Sequence, residues 1–218
     1  MATVLLLALL GVQDASAWTR FGPGSWAEHE SSGRRDGEPV KLVEKTIFKD
    51  ENDREVVISM ETVDSGGGRS VVDTKYPVPQ RAVPPDDPGR KTGEEPLTID
   101  GKTYACEIRE KKGVRRWICA SVKANGGVLK SEAVSVSVQV IAKVLKLEEK
   151  VQMGKDAIAC WVREETTDTG DQKTVRTVWM SDDVPGGTVR SKVRQTRGTQ
   201  VVEEITTNLT GFEVVKRK

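Results

Sequence analysis

Apolar and polar residues alternate with a period of two wherever this chain shows a pattern, the signature of half-buried strands. In AVSVSVQV, Val134, Val136, Val138 and Val140 fall on one side and Ser135, Ser137 and Gln139 on the other, which predicts a strand with one wet face. VKLVEKTIF, from Val40, and EVVISMETV, from Glu55, flank the polar segment KDENDR and predict a hairpin. QVIAKVLKLEEK, Gln139 to Lys150, admits two readings. Its residues form helices well and place Val140, Val144 and Leu147 at helical spacing, yet it follows a predicted strand with no capping signal, so strand is preferred.

Three ordered motifs occur twice. GKTYACEIRE, from Gly101, matches GKDAIACWVRE, from Gly154; VRRW ending at Trp117 matches VRTVW ending at Trp179; GGVLKSEA, from Gly126, matches GGTVRSKV, from Gly186. The copies differ in length mainly between the Cys and Trp segments, where a hairpin loop would sit and insertions are tolerated. The predicted unit is strand, turn, strand, Gly-Gly turn, strand.

Within the first copy, CEIREKKGVRRWIC sets its own register. A two-residue loop at Lys112-Gly113 opposes Cys106 to Cys119, Ile108 to Trp117 and Glu110 to Arg115. A one-residue slip would oppose Ile108 to Arg116, so the first register groups apolar residues and pairs opposite charges. Counting from the closing pair Lys111 with Val114, the cysteines occupy a non-hydrogen-bonded pair with Cα atoms about 4.5 Å apart, at the short end of what a disulfide accepts. A Cys106–Cys119 bond and two packed but unbonded cysteines are the alternatives. In the second copy Cys160 recurs but Ser181 stands where Cys119 does, so Cys160 is expected to be a lone buried thiol.

The ends of the chain change the setting. Residues 1 to 17 carry an apolar run from Val4 to Val12 followed by Ala15-Ser16-Ala17, the small-x-small form of a cleaved export signal, here without a basic residue at its start. Nine apolar residues rise about 14 Å as a helix and are too few to span a bilayer. The mature chain has no further long apolar run, and an exported protein meets an oxidising compartment that favours disulfides. Secretion or a periplasmic location is the expectation. Residues 73 to 96 hold six of the nine prolines and read as a connection between an N-terminal β-hairpin part, 18 to 72, and a duplicated part, 97 to 218, with copies about 97 to 144 and 145 to 218. These are expected to form one continuous domain. The charges nearly cancel, with 34 Lys and Arg against 33 Asp and Glu, so no nucleic-acid partner is implied. Only ten residues are aromatic and five of those are Trp, so a few large side chains should anchor a core of Val and Ile.

Candidate chemistry is sparse. His29 is the only histidine and sits in a polar, loop-like segment, SWAEHESSGRRDG, where a solvated side chain is expected. No CxxC pair accompanies it, so neither a metal site, a cysteine nucleophile with its base nor a Ser-His-Asp arrangement can be assembled from sequence. Asp50, Asn52 and Arg54 begin a calcium-loop pattern but break it at the third ligand, and SGGGRS from Ser65 lacks the Lys of a phosphate loop. Asp182-Asp183 and Glu203-Glu204 are adjacent pairs that a strand would point to opposite faces, unlike glycosidase acids. Asn208-Leu209-Thr210 fits a glycosylation sequon. No cofactor is expected, and no catalytic residue is assigned.

With SWAEHE, GKTYACEIRE and WMSDDVPGG in view, the chain resembles a group of exported bacterial β-repeat proteins that share a Gly-Ser-Trp segment near the mature start and Trp-x-Ser-Asp-x-x-Pro-Gly-Gly late. More distantly, a strand ending in Trp before a Pro-Gly turn is similar to periplasmic lipoprotein-carrier proteins, whose curved antiparallel half-barrels hold acyl chains, although the helices that line and lid those barrels have no counterpart here apart from the helical reading of Gln139 to Lys150. The fold expectation is mostly β, a curved antiparallel sheet or half-barrel, with a two-sheet sandwich as the alternative. Two functions follow as expectations. One is a non-enzymatic carrier that takes a lipid-like ligand on an apolar face formed by Ile108, Trp117, Val162 and Trp179; the other is a structural or protein-interaction module of the cell envelope.

Overall fold

A computed structural model describes residues 17–52, 54–77 and 89–217; the predicted signal lies outside them except for Ala17. The described strands are β1 (Trp26–Arg35), β2 (Glu38–Glu51), β3 (Glu55–Asp64), β4 (Arg69–Pro77), β5 (Arg90–Ile99), β6 (Lys102–Lys111), β7 (Val114–Ile118), β8 (Val128–Val134), β9 (Gln139–Met153), β10 (Asp156–Asp168), β11 (Gln172–Met180), β12 (Thr188–Arg197) and β13 (Gln200–Glu213). All thirteen join one antiparallel sheet in the order β4-β3-β2-β1-β13-β12-β11-β10-β9-β8-β7-β6-β5. Strands β5 to β13 run as an uninterrupted meander, and β1 then docks on β13 so that the N-terminal strands extend the sheet. It is one curved, unclosed sheet and not a sandwich, with β4 and β5 at its two free edges.

The tight turns follow local chemistry. Lys112 and Gly113 both take positive φ, 52° and 76°, as a two-residue hairpin loop requires. The resulting pairs are Lys111 with Val114, Glu110 with Arg115 and Ile108 with Trp117. Gly33 serves close packing instead, since a Cβ there would lie 2.0 Å from the Glu204 carbonyl oxygen of β13.

Three expectations are corrected. AVSVSVQV is not one strand: β8 ends at Val134 and β9 starts at Gln139. Between them the Ser135 amide donates to the Val138 carbonyl at 2.8 Å, and the Val138 amide donates to Ser135 Oγ at 3.1 Å. Val136 is wholly exposed. The serine hydroxyl satisfies the backbone of a turn, and alternation alone cannot separate that from a ladder. The Pro-rich segment is shorter than 73 to 96, because Pro77 ends β4 and Pro96 lies within β5. Both are edge strands, where a missing amide need break no ladder bond; residues 78–88 lie outside the described ones. The N-terminal part is four strands, of which the expected hairpin is β2 with β3, pairing Phe48 with Ile58 and Val43 with Val63. Gln139 to Lys150 is strand, as preferred, paired by β10 along most of its length and by β8 over Gln139 to Lys143. That pairing overrides its helix propensity.

A single sheet buries side chains only by curving and by laying loops over itself. Two apolar clusters show both. One gathers Trp18, Ala27, Phe48, Val56, Ile58 and Leu209 with Val184 from the β11–β12 loop. The other gathers Ile99, Cys106, Trp117, Cys119 and Leu129 with Val122 from the β7–β8 loop. Cys160 belongs to the first and its neighbour Trp161 packs on the second, as adjacent strand positions facing opposite ways should. The N-terminal segment is pinned to the far end of the chain: the Gly22 amide donates to the Val215 carbonyl at 2.6 Å, the Val215 amide to Ser25 Oγ at 2.9 Å, and the Phe48 amide to the Ser25 carbonyl at 2.9 Å.

Candidate functional site: the inner face of the curved sheet

Cross-strand register sorts side chains by face. One row runs Val144, Arg163, Val178, Ser191, Thr207, Ser31, Leu42 across β9, β10, β11, β12, β13, β1 and β2. The next row toward the other strand ends on the same face runs Ala142, Glu165, Arg176, Val193, Ile205, Gly33, Val40. On β12, β13, β1 and β2 this face is the buried one. With no second layer over it, the face buried by strict alternation on these four strands is the inside of the curve, and the register carries that face onto β10 and β11, although β10 alternates its most buried positions, Ile158, Cys160 and Val162, on the opposite side.

That inner face is polar to an unusual degree. His29, Ser31, Glu44, Thr46, Ser191, Glu203 and Thr207 are all buried on it, and polar groups survive burial only when partnered. Ser31 Oγ and Thr207 Oγ1 bond to each other at 2.8 Å. Arg35 Nε donates to Glu203 Oε2 at 2.6 Å. Thr46 Oγ1 donates to Glu44 Oε1 at 3.3 Å. His29, expected to be solvated, is instead an inward residue of β1 whose Nε2 lies 2.9 Å from the Thr188 carbonyl oxygen. A carbonyl only accepts, so Nε2 carries the proton. The polar run WAEHESSGRR hid this strand, since its inward positions are Ala27, His29 and Ser31 and give no apolar alternation.

Burial moves the titrations of the cross-strand pair His29 and Glu44. It lowers His29, against the raising effects of the Thr188 carbonyl and of Glu28. It raises Glu44 from 4.5 to about 7. The folded state therefore keeps the Glu44 proton between those values where the unfolded chain has lost it. This stabilisation is complete below about pH 4.5 and is lost as pH rises through about 7, whereas the His29 shift costs stability as pH falls below 6.5. Glu44→Gln is expected to stabilise the protein at pH 8 by up to about 3 kcal/mol relative to its effect at pH 4, measured by urea unfolding of both proteins at the two pH values. An equal effect at both would show that Glu44 does not titrate in this window.

On β10 and β11 the inner face carries Arg163, Glu165 and Arg176. Arg163 Nη2 is 3.7 Å from Glu165 Oε2, and Arg176 feels Glu165 favourably and Arg163 unfavourably while burial lowers its proton affinity. The Nε atoms of both arginines are shielded from solvent and lack a hydrogen-bond partner. A buried donor without a partner costs about 1–3 kcal/mol.

The outer face holds the residues expected to form an apolar binding surface. Ile108 pairs with Trp117 and Val162 with Trp179. Trp117 is 2% and Val162 3% exposed. Lys130 Nζ stands 4.2 Å from the Trp117 ring centre, and Arg190 and Lys192 lie over Trp179. The indole N–H groups donate to Glu95 at 2.8 Å and to Glu149 at 3.0 Å. Each glutamate pairs in turn with a cysteine, Glu95 with Cys106 and Glu149 with Cys160. Cys106 and Cys119 are disulfide-bonded with Cα atoms 4.2 Å apart. Cys160 is free and buried, and burial pushes its thiol up to about 11.

The remaining sequence motifs resolve as local structure. Asn52 Oδ1 accepts from the Arg54 and Glu55 amides, and Asp64 Oδ1 from those of Gly66 and Gly68. Asp182 pairs with Arg20 at 2.6 Å. Glu203 is buried while Glu204 is exposed. Asn208 Oδ1 accepts from Arg190 Nε at 2.9 Å.

Fold and faces together define a class: an open antiparallel half-barrel with a polar inside. No protein-family model and no curated protein matches the chain. Among solved structures it is similar to a Bacteroides fragilis protein described as exported and YmcC-like in fold, at 10% identity over 88% of this chain and 97% of that one, with a TM-score of 0.38. It is also similar to a Parabacteroides distasonis protein described as a lipoprotein, at 10% identity over 88% and 96%, TM-score 0.43. A third is MucB in complex with MucA(peri), at 12% identity over 94% and 97%, TM-score 0.20. Among the described residues, no helix is long and apolar enough to cross a membrane.

Proposed function

We propose that this chain is a non-enzymatic protein-interaction module of the cell envelope, receiving a segment of another envelope protein on the inner face of its sheet. The observation that carries this reading is the composition of that face: hydroxyl, carboxyl and guanidinium groups line it in register, beside an apolar end filled by Trp18, Phe48 and Val56, each fully buried. Side chains of that kind recognise polar segments through oriented hydrogen bonds. A lipid-like ligand would need open apolar surface, and the Ile108–Trp117–Val162–Trp179 face is capped by cations and carboxylates instead. The envelope location rests on the predicted signal and agrees with the disulfide. Against catalysis, the His29 Nε2 proton is committed to a backbone carbonyl and Ser31 Oγ to Thr207, so among the described residues the inner face presents no nucleophile beside a free base.

A photoreactive phenylalanine analogue tests this. At Thr174, an inner-face residue opposite Gln195, it should cross-link one identifiable exported protein; at Thr177, on the other face, it should not. Equal labelling from both positions, or none from Thr174, would refute the reading, and stoichiometric lipid in an organic extract of the purified protein would return the carrier reading to first place.

A further inference from the structure

On the inner face of β10 and β11 two guanidiniums share one carboxylate. Register sets Glu165 opposite Arg176 and Arg163 opposite Val178, so the arginines are diagonal neighbours on adjacent strands. Each has a buried Nε–H with no acceptor, and each is only half-exposed or less. Glu165 meets Arg163 at 3.7 Å, too far for a strong hydrogen bond. The surroundings add to the excess. On the same face Lys91 reaches Glu94 and Glu107, and Arg109 holds Glu107 through two nitrogens, so those acids are already engaged. Arg116 stands opposite Arg109 with no carboxylate in its own cross-strand row before Glu165. Like charges this close raise the energy of the empty site, and half-burial strengthens whatever relieves them.

We propose that Arg163 and Arg176 form a carboxylate-binding subsite that takes an acidic side chain of the segment received on the inner face. A guanidinium presents parallel N–H donors that match a carboxylate's two oxygens. A carboxylate between the two arginines would meet their Nη groups, the Nε atoms being shielded from solvent, and would offset their repulsion, with Glu165 as the competing anion that keeps the empty site folded. This assignment rests on the inner-face reading but is separable from it, because inner-face cross-linking at Thr174 can persist when no acidic side chain is bound at Arg163 and Arg176.

The test is titration of the full mature protein, 15N-labelled at arginine, with a tetraglutamate peptide, following the Nε–Hε resonances at constant ionic strength. Saturable shifts at Arg163 and Arg176, absent with tetraglutamine and absent at exposed Arg54, are expected. Arg176→Gln should weaken binding about tenfold, the usual loss for a charge-assisted pair. Because that variant could fail through misfolding, Glu165→Gln provides the opposite sign: with the competing carboxylate removed, tetraglutamate should bind several-fold more tightly. Shifts that stay linear, that appear equally at exposed arginines, or that follow inorganic phosphate but not the peptide would overturn the assignment, as would a Glu165→Gln protein that binds no better than wild type.

Discussion

Ser181→Cys is expected to form a second disulfide, to Cys160, and to raise the thermal midpoint by several degrees. The β10–β11 pairing sets Trp161 opposite Met180, and one step further along both strands sets Cys160 opposite Ser181. The β6–β7 hairpin does the same with Cys106 and Cys119, one step beyond the pair Glu107 with Ile118. The loops that follow agree as well: the Cys119 amide donates to the Gly127 carbonyl at 2.8 Å and the Ser181 amide to the Gly187 carbonyl at 2.7 Å. Both partner positions are buried, so the new bond would lie inside the protein. Closing a loop of this length stabilises by about 3 kcal/mol in the chain-entropy model, and for a chain of this size each kcal/mol moves the midpoint by about 2–4 °C. Because burial holds the Cys160 thiol near 11, the folded protein will oxidise slowly, so the bond should be formed by refolding in a glutathione buffer. Non-reduced peptide mapping and melting with and without reductant check both halves. A cross-link that forms without raising the midpoint would mean that the second site does not share the geometry of the first.

Phe48→Ala should be the most damaging single truncation on the N-terminal strands, costing about 3–5 kcal/mol. The ring is fully buried in the cluster with Trp18, Val56, Ile58 and Leu209. Its backbone also anchors the entry segment, accepting from Gly24 at 2.7 Å and donating to Ser25 at 2.9 Å. Loss of the side chain therefore loosens both the filled end of the half-barrel and the strap that ties residues 18 to 25 to the C-terminal end. Val71→Ala, on the exposed edge strand β4, is the control and should lie within about 0.5 kcal/mol of wild type. Urea midpoints would compare them, and a Phe48→Ala cost below about 1 kcal/mol would show that this end is not packed.

How much could be read in advance depended on whether the information was local. The register of the β6–β7 hairpin was legible because Ile108, Trp117, Glu110 and Arg115 lie within one turn's reach, and a slip would have exposed or mispaired them. The same residues placed Cys106 opposite Cys119. The Ser135–Val138 turn was misread because a valine–serine alternation is equally compatible with a strand and with a serine-closed turn that no neighbour covers. His29 was misplaced for the converse reason, since its strand carries almost no apolar residue. The inner-face arginines gave no signal at all: Arg163 and Arg176 lie in two separate motifs, GKDAIACWVRE and VRTVW, and only pairing across β10 and β11 brings them together.

The sequence by itself determined the β character of the chain, the β2–β3 and β6–β7 hairpins, the register of the second and the opposition of Cys106 to Cys119, because period-two patterning and turn chemistry act over a few residues. Only the tertiary structure decided that β1 closes onto β13 and which face becomes the inside. Both depend on contacts between residues far apart in the chain, such as Ser31 with Thr207 and Arg35 with Glu203, and burial on that inside is what turns ordinary polar residues into a site.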